Sequence, residues 1–272
     1  MKSNEFQIGV IGAGAWGTAL ARLLANNGNS VQLWCHEAET KQDILTNHVN
    51  SSFLPDIPLP ETLGATTELS EVVRNSRILV ASLPSHITRE VAKKMLPEIT
   101  SKHILVILSK GIERHSLALM SEIYAEELNN LPKLAVLSGP TFAREVALDL
   151  PSAAVLACAE EETGSILQQK FHTNRFRLYR STDLVGVQLG GAIKNVIAIA
   201  AGEEHSLALR INGHVEAWGS NAFEQTQLPG GLENIRAIAA GGLHSLAVRN
   251  DGVVFAWGAN GKKQCTPPED LP

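Results

Sequence analysis

Short apolar runs alternate with amphipathic stretches through the first two thirds of the chain. Runs at 7–11, 30–34, 78–81, 104–108, 134–138, 153–157 and 176–179 have strand length and are rich in Val, Ile and Leu. Segments 16–27, 87–96, 117–128 and 161–171 carry apolar residues at helical spacing. Strands alternating with helices of this length imply right-handed βαβ units and a mostly parallel sheet. Residues 53–60 hold three prolines and read as a loop.

The pattern changes near residue 195. Residues 195–221 and 234–260 align without gaps at an offset of 39, with 17 of 27 positions identical, which marks an internal repeat. Each copy has apolar runs on both sides of a turn, Ile211-Asn212-Gly213 in one and Asn250-Asp251-Gly252 in the other. Asn-Gly and Asp-Gly accept positive φ and favour hairpins, so the unit is a β-module.

Composition narrows the classes. The net charge of -5 gives no polyanion footprint, so nucleic acid is not expected as a partner. No apolar run approaches the ~20 residues of a membrane span. The first residues run straight into an apolar strand and do not resemble a secretory signal, so a cytoplasmic location is expected. Cys35, Cys158 and Cys265 are odd in number and far apart, and read as structural thiols in a reducing compartment, with no metal site.

The chemistry begins at Gly12-Ala13-Gly14-Ala15-Trp16-Gly17, between the first strand and an amphipathic helix. In that context Gly12 allows a tight turn, Gly14 lets the backbone approach a pyrophosphate, and Gly17 permits close packing. The helix N-terminus supplies unpaired N–H groups to the phosphates. The second strand ends in Cys35-His36-Glu37, with no acid at its tip to select a free ribose 2′-hydroxyl. His36 is suited to a 2′-phosphate, or is simply a solvated loop residue. NADP is the favoured cofactor, with NAD usable. Three further clusters follow strands, where doubly wound sheets place ligands: Pro84-Ser85-His86, Ser109-Lys110-Gly111 and 138–143. Lys110 is a cation at that edge or a solvated lysine; Thr141 is a contact residue or a helix N-cap. Lys194 is a candidate proton acceptor for alcohol oxidation, because a lysine partly desolvated beside another cation has its pKa lowered toward that task.

Residues 12–19, 84–86, 110–111, 138–145 and 186–195, in this order and spacing, resemble the bacterial NAD(P)-dependent glycerol-3-phosphate dehydrogenases over residues 7 to about 202. The resemblance implies hydride transfer between nicotinamide and C2 of sn-glycerol 3-phosphate, a small phosphorylated three-carbon substrate. It implies cofactor contacts from Trp16, His36, Lys110 and Ala143 beside Gly12, Gly14 and Gly17. It implies substrate contacts from Lys110, Gly139, Thr141 and Lys194, with Lys194 as acid–base residue. In that family Lys194 opens a long all-helical substrate domain; here the repeats begin instead. The repeats, through Ala200–Ala208 with Ala217–Asn221 and through Ala239–Ala247 with Ala256–Asn260, resemble the regulator-of-chromosome-condensation type, whose units are propeller blades.

The expected architecture is a Rossmann-like doubly wound parallel sheet over 1–182, the start of a truncated helical domain over 183–202, and two blade-like β-units over 203–272. Packing against the sheet is expected to hold residues up to about 200 helical. Trp218 and Trp257 are expected at equivalent sites. Two blades cannot close a ring, so poor packing and self-association through open edges are expected. An impaired dehydrogenase is the expected function; the alternative is an inactive dinucleotide-binding module joined to an interaction segment.

Overall fold

The computed structural model describes residues 7–114, 116–192 and 196–266. The chain divides into two compact units, 1–192 and 193–272.

The first unit is built on eight strands: β1 (Gln7–Ile11), β2 (Val31–Trp34), β3 (Gly64–Thr66), β4 (Ser76–Ala81), β5 (Ile104–Ile107), β6 (Lys133–Ser138), β7 (Ser152–Cys158) and β8 (Phe176–Ser181). Eight helices connect and flank them: α1 (Ala15–Asn26), α2 (Ala38–Asn47), α3 (Leu69–Asn75), α4 (Ser85–Met95), α5 (Met120–Glu127), α6 (Ala143–Ala147), α7 (Glu161–Phe171) and α8 (Leu184–Ala192). The sheet order is β3-β2-β1-β4-β5-β6-β7-β8. Every pairing is parallel except β6 with β7. All seven expected strands form.

Alternation along the strands sorts side chains onto two faces. In β4, Ile78 and Val80 join an apolar cluster with Leu20 and Leu24 of α1 and Leu167 of α7. Leu79 and Ala81 join a second cluster with Val72 of α3, Val91 of α4 and Tyr124 of α5. Burial on both faces is why these strands read as near-continuous apolar runs. Of the elements that were not expected, β3 and α3 are short, and α2 buries only Thr40 and Ile44, too few to set a period.

The chain leaves β1 toward β2 and β3 on one side and returns as β4 on the other. This reversal opens a crevice at the carboxyl ends of β1 and β4. Hydrogen bonds continue past the strand ends there: Gly12 N–H donates to Trp34 O (3.2 Å) and Ser82 N–H to Ile11 O (2.9 Å).

The second unit holds two three-stranded antiparallel sheets, β9 (Val196–Ala201), β10 (His205–Arg210) and β11 (Val215–Gly219), and β12 (Ile235–Ala240), β13 (His244–Arg249) and β14 (Val254–Gly258). Gly213 (φ +78°) and Gly252 (φ +92°) turn the two hairpins, as the Asn-Gly and Asp-Gly signals require. Leu207, Leu209, Val215, Ile235, Ala247 and Trp257 form a shared small core.

One expectation is corrected. Helix does not run to residue 200: residues 196–201 form β9, paired with β10 from Ala201↔Ser206 to Val196↔Arg210. The sequence Val-Ile-Ala-Ile favours strand, and the ladder with β10 adds backbone pairing that a helix end would lack. Local propensity and a ready partner strand together outweigh the upstream helix. No helix among the described residues is long and apolar enough to cross a membrane.

Candidate functional site

The glycine loop sits where β1 gives way to α1. Gly12 has φ +109°, and a Cβ there would overlap the carbonyl oxygen of Ser82. A Cβ on Gly17 would overlap the carbonyl oxygen of Gly12. Both glycines are therefore required by the fold itself. Gly14 differs. It caps α1 with φ -64° and ψ 174°, which any residue adopts, and a Cβ on it would meet nothing within 4 Å. The space in front of Gly14 is open, at the positive end of a 12-residue helix. A protein-internal reason for glycine is missing here, and a ligand pressed against the backbone supplies one.

A buried network holds the loop. Asn50, 1% exposed, donates from Nδ2 to Ala13 O and to Thr18 Oγ1, both at 2.8 Å. Thr18 Oγ1 donates to Ala13 O (3.1 Å). Asn50 Oδ1 in turn accepts from Phe53 N–H (3.2 Å), which ties the proline-rich loop to the glycine loop. Asn50 carries no signal in the sequence. No periodicity marks it, since it lies between a helix end and a loop.

A cleft of about 570 Å³ extends from Gly12 and Gly14. Its near walls are apolar: Phe53, Leu83, Ile87 and Val91. Its far end is polar: His36, Glu37, Glu90 and Lys94. His36 is exposed and packs edge-on to Trp34, with ring centroids 6.0 Å apart. Lys94 lies 2.6 Å from Glu90 and, with His36, holds that carboxyl below its ordinary range. Ile87 with Val91 and Glu90 with Lys94 are i,i+4 pairs on α4, a face legible in the sequence once the helix is placed. Cys35, beneath the cleft rim, is fully buried, and burial followed by the nearby Glu37 carboxylate pushes its thiol up to about 12. A larger depression, about 740 Å³ and lined by Arg74, Arg77 and His103, opens at the amino-terminal strand edges, away from the glycine loop and the crevice.

The loops after β4, β5 and β6 meet beside this cleft. Leu83 N–H donates to Ser109 Oγ (3.2 Å). Gly111, with φ +120°, packs so that a Cβ would lie 3.3 Å from Ser85 Oγ. Lys110 Nζ donates to Gly139 O (3.4 Å). The end of α8 joins them: a Cβ on Gly191 would lie 2.5 Å from Ser138 Oγ and 3.8 Å from Lys110 Cγ. Gln188 docks α8 by donating to Ser121 Oγ (2.8 Å) and accepting from Ser121 N–H (2.9 Å). Thr141 precedes Phe142, the residue that caps α6, so the N-cap reading of Thr141 does not hold. Trp16 and Ala143 pack against one apolar cluster with Ala19, Leu54, Ile57 and Ala147. Lys194 lies outside the described residues, as do the side chains of 196–199.

The arrangement suits a dinucleotide. The open cradle at Gly14 fits a pyrophosphate, and the apolar walls fit a flat ring.

Comparison with known proteins agrees with this geometry. Residues 7–164 match the family described as NAD-dependent glycerol-3-phosphate dehydrogenase N-terminus, and residues 196–225 and 235–264 match the regulator of chromosome condensation (RCC1) repeat. A glycerol-3-phosphate dehydrogenase [NAD(P)+] of Citrifermentans bemidjiense is 48% identical over 208 residues, covering 76% of this chain and 62% of that protein. The Geobacter sulfurreducens protein of the same name is 45% identical, with the same coverages. The crystal structure of glycerol-3-phosphate dehydrogenase from Coxiella burnetii superposes with a TM-score of 0.67 at 37% identity, covering 71% of this chain and 58% of that one. This chain thus spans about 62% of the length of the curated relatives it matches. With more than half of its residues in the match, the chain belongs to the NAD-dependent glycerol-3-phosphate dehydrogenase family, and it carries two RCC1 repeats after the matched region.

Proposed function

We propose that the 1–192 unit binds a nicotinamide dinucleotide across the carboxyl ends of β1, β2 and β4. The observation that carries this is Gly14: its Cβ position is empty although its backbone angles would admit any side chain. The pyrophosphate lies over Gly14 at the α1 N-terminus, Trp16 and Ala143 flank it, and His36 with Lys94 meets the adenosine ribose. NADP is the favoured form and NAD is usable, because β2 carries no acid at its tip and His36 and Lys94 line that end of the cleft.

The reaction we assign is that of the relatives, oxidation of sn-glycerol 3-phosphate to dihydroxyacetone phosphate and its reverse. The bound nicotinamide supplies the hydride acceptor. Lys110, Gly139 and Thr141 orient the phosphorylated three-carbon substrate, and Lys194 holds the proton of the C2 hydroxyl. Turnover in this chain is impaired. The segment just after Lys194 is β9, committed to the repeat sheet, rather than helix closing over substrate. A site left open to water forfeits electrostatic stabilisation, and one such contact is worth roughly 10²–10³ in rate. A cytoplasmic location fits a cofactor of this kind. Reduction of dihydroxyacetone phosphate by the purified chain, with NADPH and with NADH, tests this. The rate expected is at least ~10³ below that of a full-length relative with dinucleotide binding retained. Near-normal turnover would show that the substrate cage is complete.

A further inference from the structure

The two repeats contact each other through a small set of polar groups. Trp257 Nε1 donates to the backbone oxygen of Gln225 (3.0 Å), and Ser245 Oγ donates to the same oxygen (2.9 Å). His205 Nε2 lies 2.9 Å from Ser245 Oγ. The first repeat thus presents a giving edge, His205 with the Gln225 carbonyl. The second presents a receiving edge, Ser245 with Trp257.

The 39-residue offset assigns each repeat both edges. The receiving edge of the first repeat is Ser206 with Trp218; the giving edge of the second is His244 with Gln264. Among the described residues, nothing covers these two edges. Trp218 is 51% exposed where Trp257 is 8% exposed, although the pairs Ser206↔Trp218 and Ser245↔Trp257 occupy the same register position. Ser206 Oγ and Trp218 Nε1 have no hydrogen bond among the described residues. Gln264 is half-buried where Gln225 is fully buried.

The giving loop is already shaped for its task. Gln264 Oε1 accepts from Lys262 N–H at 2.8 Å, as Gln225 Oε1 does from Phe223 N–H at 2.8 Å. Asn260 Oδ1 accepts from Cys265 N–H at 2.9 Å, as Asn221 Oδ1 does from Thr226 N–H at 3.0 Å. Lys263 and Glu224 share a left-handed backbone, φ 61° and 62°. A preformed loop loses little entropy on docking.

We propose that the chain self-associates head to tail, with the Gln264 edge of one copy seated on the Trp218 edge of another. The contact between copies reproduces the one between the two repeats. Trp218 Nε1 and Ser206 Oγ donate to the Gln264 carbonyl, and His244 meets Ser206. A second copy is the occupant because this chain itself carries the matching edge in the matching conformation. Such an interface is heterologous, so it closes a ring of blades or grows as a chain.

Sedimentation velocity on the full chain across a wide concentration range tests this, with tryptophan fluorescence reporting burial of Trp218. The wild type is expected to associate with a blue-shifted emission. Trp218→Arg is expected to weaken association about 30-fold, the loss usual for a central interface tryptophan. Gln264→Arg is expected to weaken it similarly. An equimolar mixture of the two variants retains one intact pair of edges and is expected to form a capped 1:1 dimer. Circular dichroism and melting confirm that each variant folds; if Trp218→Arg fails that check, Trp218→Phe takes its place, keeping apolar area and losing the donor. A wild type that stays monomeric overturns the proposal. So does association unaffected by either substitution, association lost in Trp218→Arg alone as a symmetric interface would give, or a mixture that forms no dimer.

Discussion

Replacing Gly14 by valine separates a ligand-imposed glycine from a fold-imposed one. The Gly14 Cβ would meet nothing within 4 Å, and its angles of -64° and 174° need no glycine. Valine is a poorer N-cap than glycine, so stability should fall by about 1 kcal/mol. Affinity should change far more. A side chain at Gly14 displaces the pyrophosphate from the first N–H groups of α1. Two charge-assisted hydrogen bonds at roughly 1.5 kcal/mol each give about 3 kcal/mol, or over 100-fold in Kd. Gly17→Ala is the converse. Its Cβ would overlap the Gly12 carbonyl, backbone against backbone, so the cost falls on the fold, at about 3 kcal/mol. The assay is calorimetric titration with NADPH and NADH, paired with urea unfolding. An unchanged Kd in a folded Gly14→Val, or a Gly14→Val that unfolds while Gly17→Ala does not, would refute the reasoning.

Further outcomes follow from the same geometry. Asn50→Ala removes two buried bonds that pin Ala13 and Thr18, and should lower unfolding free energy by about 2–3 kcal/mol in a urea titration, with weaker dinucleotide binding. His36→Ala should raise the Kd for NADPH more than that for NADH, and equal effects on both would remove His36 from 2′-phosphate recognition. Cys35 should resist alkylation in the folded chain at pH 9, because its thiol is raised from 9.0 to about 12 by burial. The folded state keeps that proton where the unfolded chain releases it. The Cys35 contribution to stability is therefore full below pH 9.0 and declines as pH rises toward about 12, which denaturation at stepped alkaline pH will show in comparison with Cys35→Ala.

The parallel core was legible because each strand is buried on two faces and writes a dense apolar run into the sequence; Ile104–Ile107 is buried at every position. The glycine loop was legible because its spacing is set by sterics that the structure repeats at Gly12 and Gly17. Other features left no pattern. Asn50 is a single buried amide whose partners are 32 and 37 residues away. Gln188 reaches 67 residues back to Ser121. The antiparallel direction of β7 is written in no residue within the strand. Residues 196–201 satisfy both a helical and a strand template, and the presence of β10 as partner, a nonlocal fact, decides for strand. The two tryptophans do sit in one register position, but their environments differ, because the cover over Trp257 is the Gln225 loop of the preceding repeat.

Hydrogen exchange of the full chain with and without NADPH tests the central claim most directly. Binding at the crevice should slow exchange in the glycine loop at 12–18, at 35–37 and along 83–94, and leave the repeat unit unchanged. Protection confined to the opposite edge around Arg74 and His103, or none at saturating NADPH, would contradict the dinucleotide site.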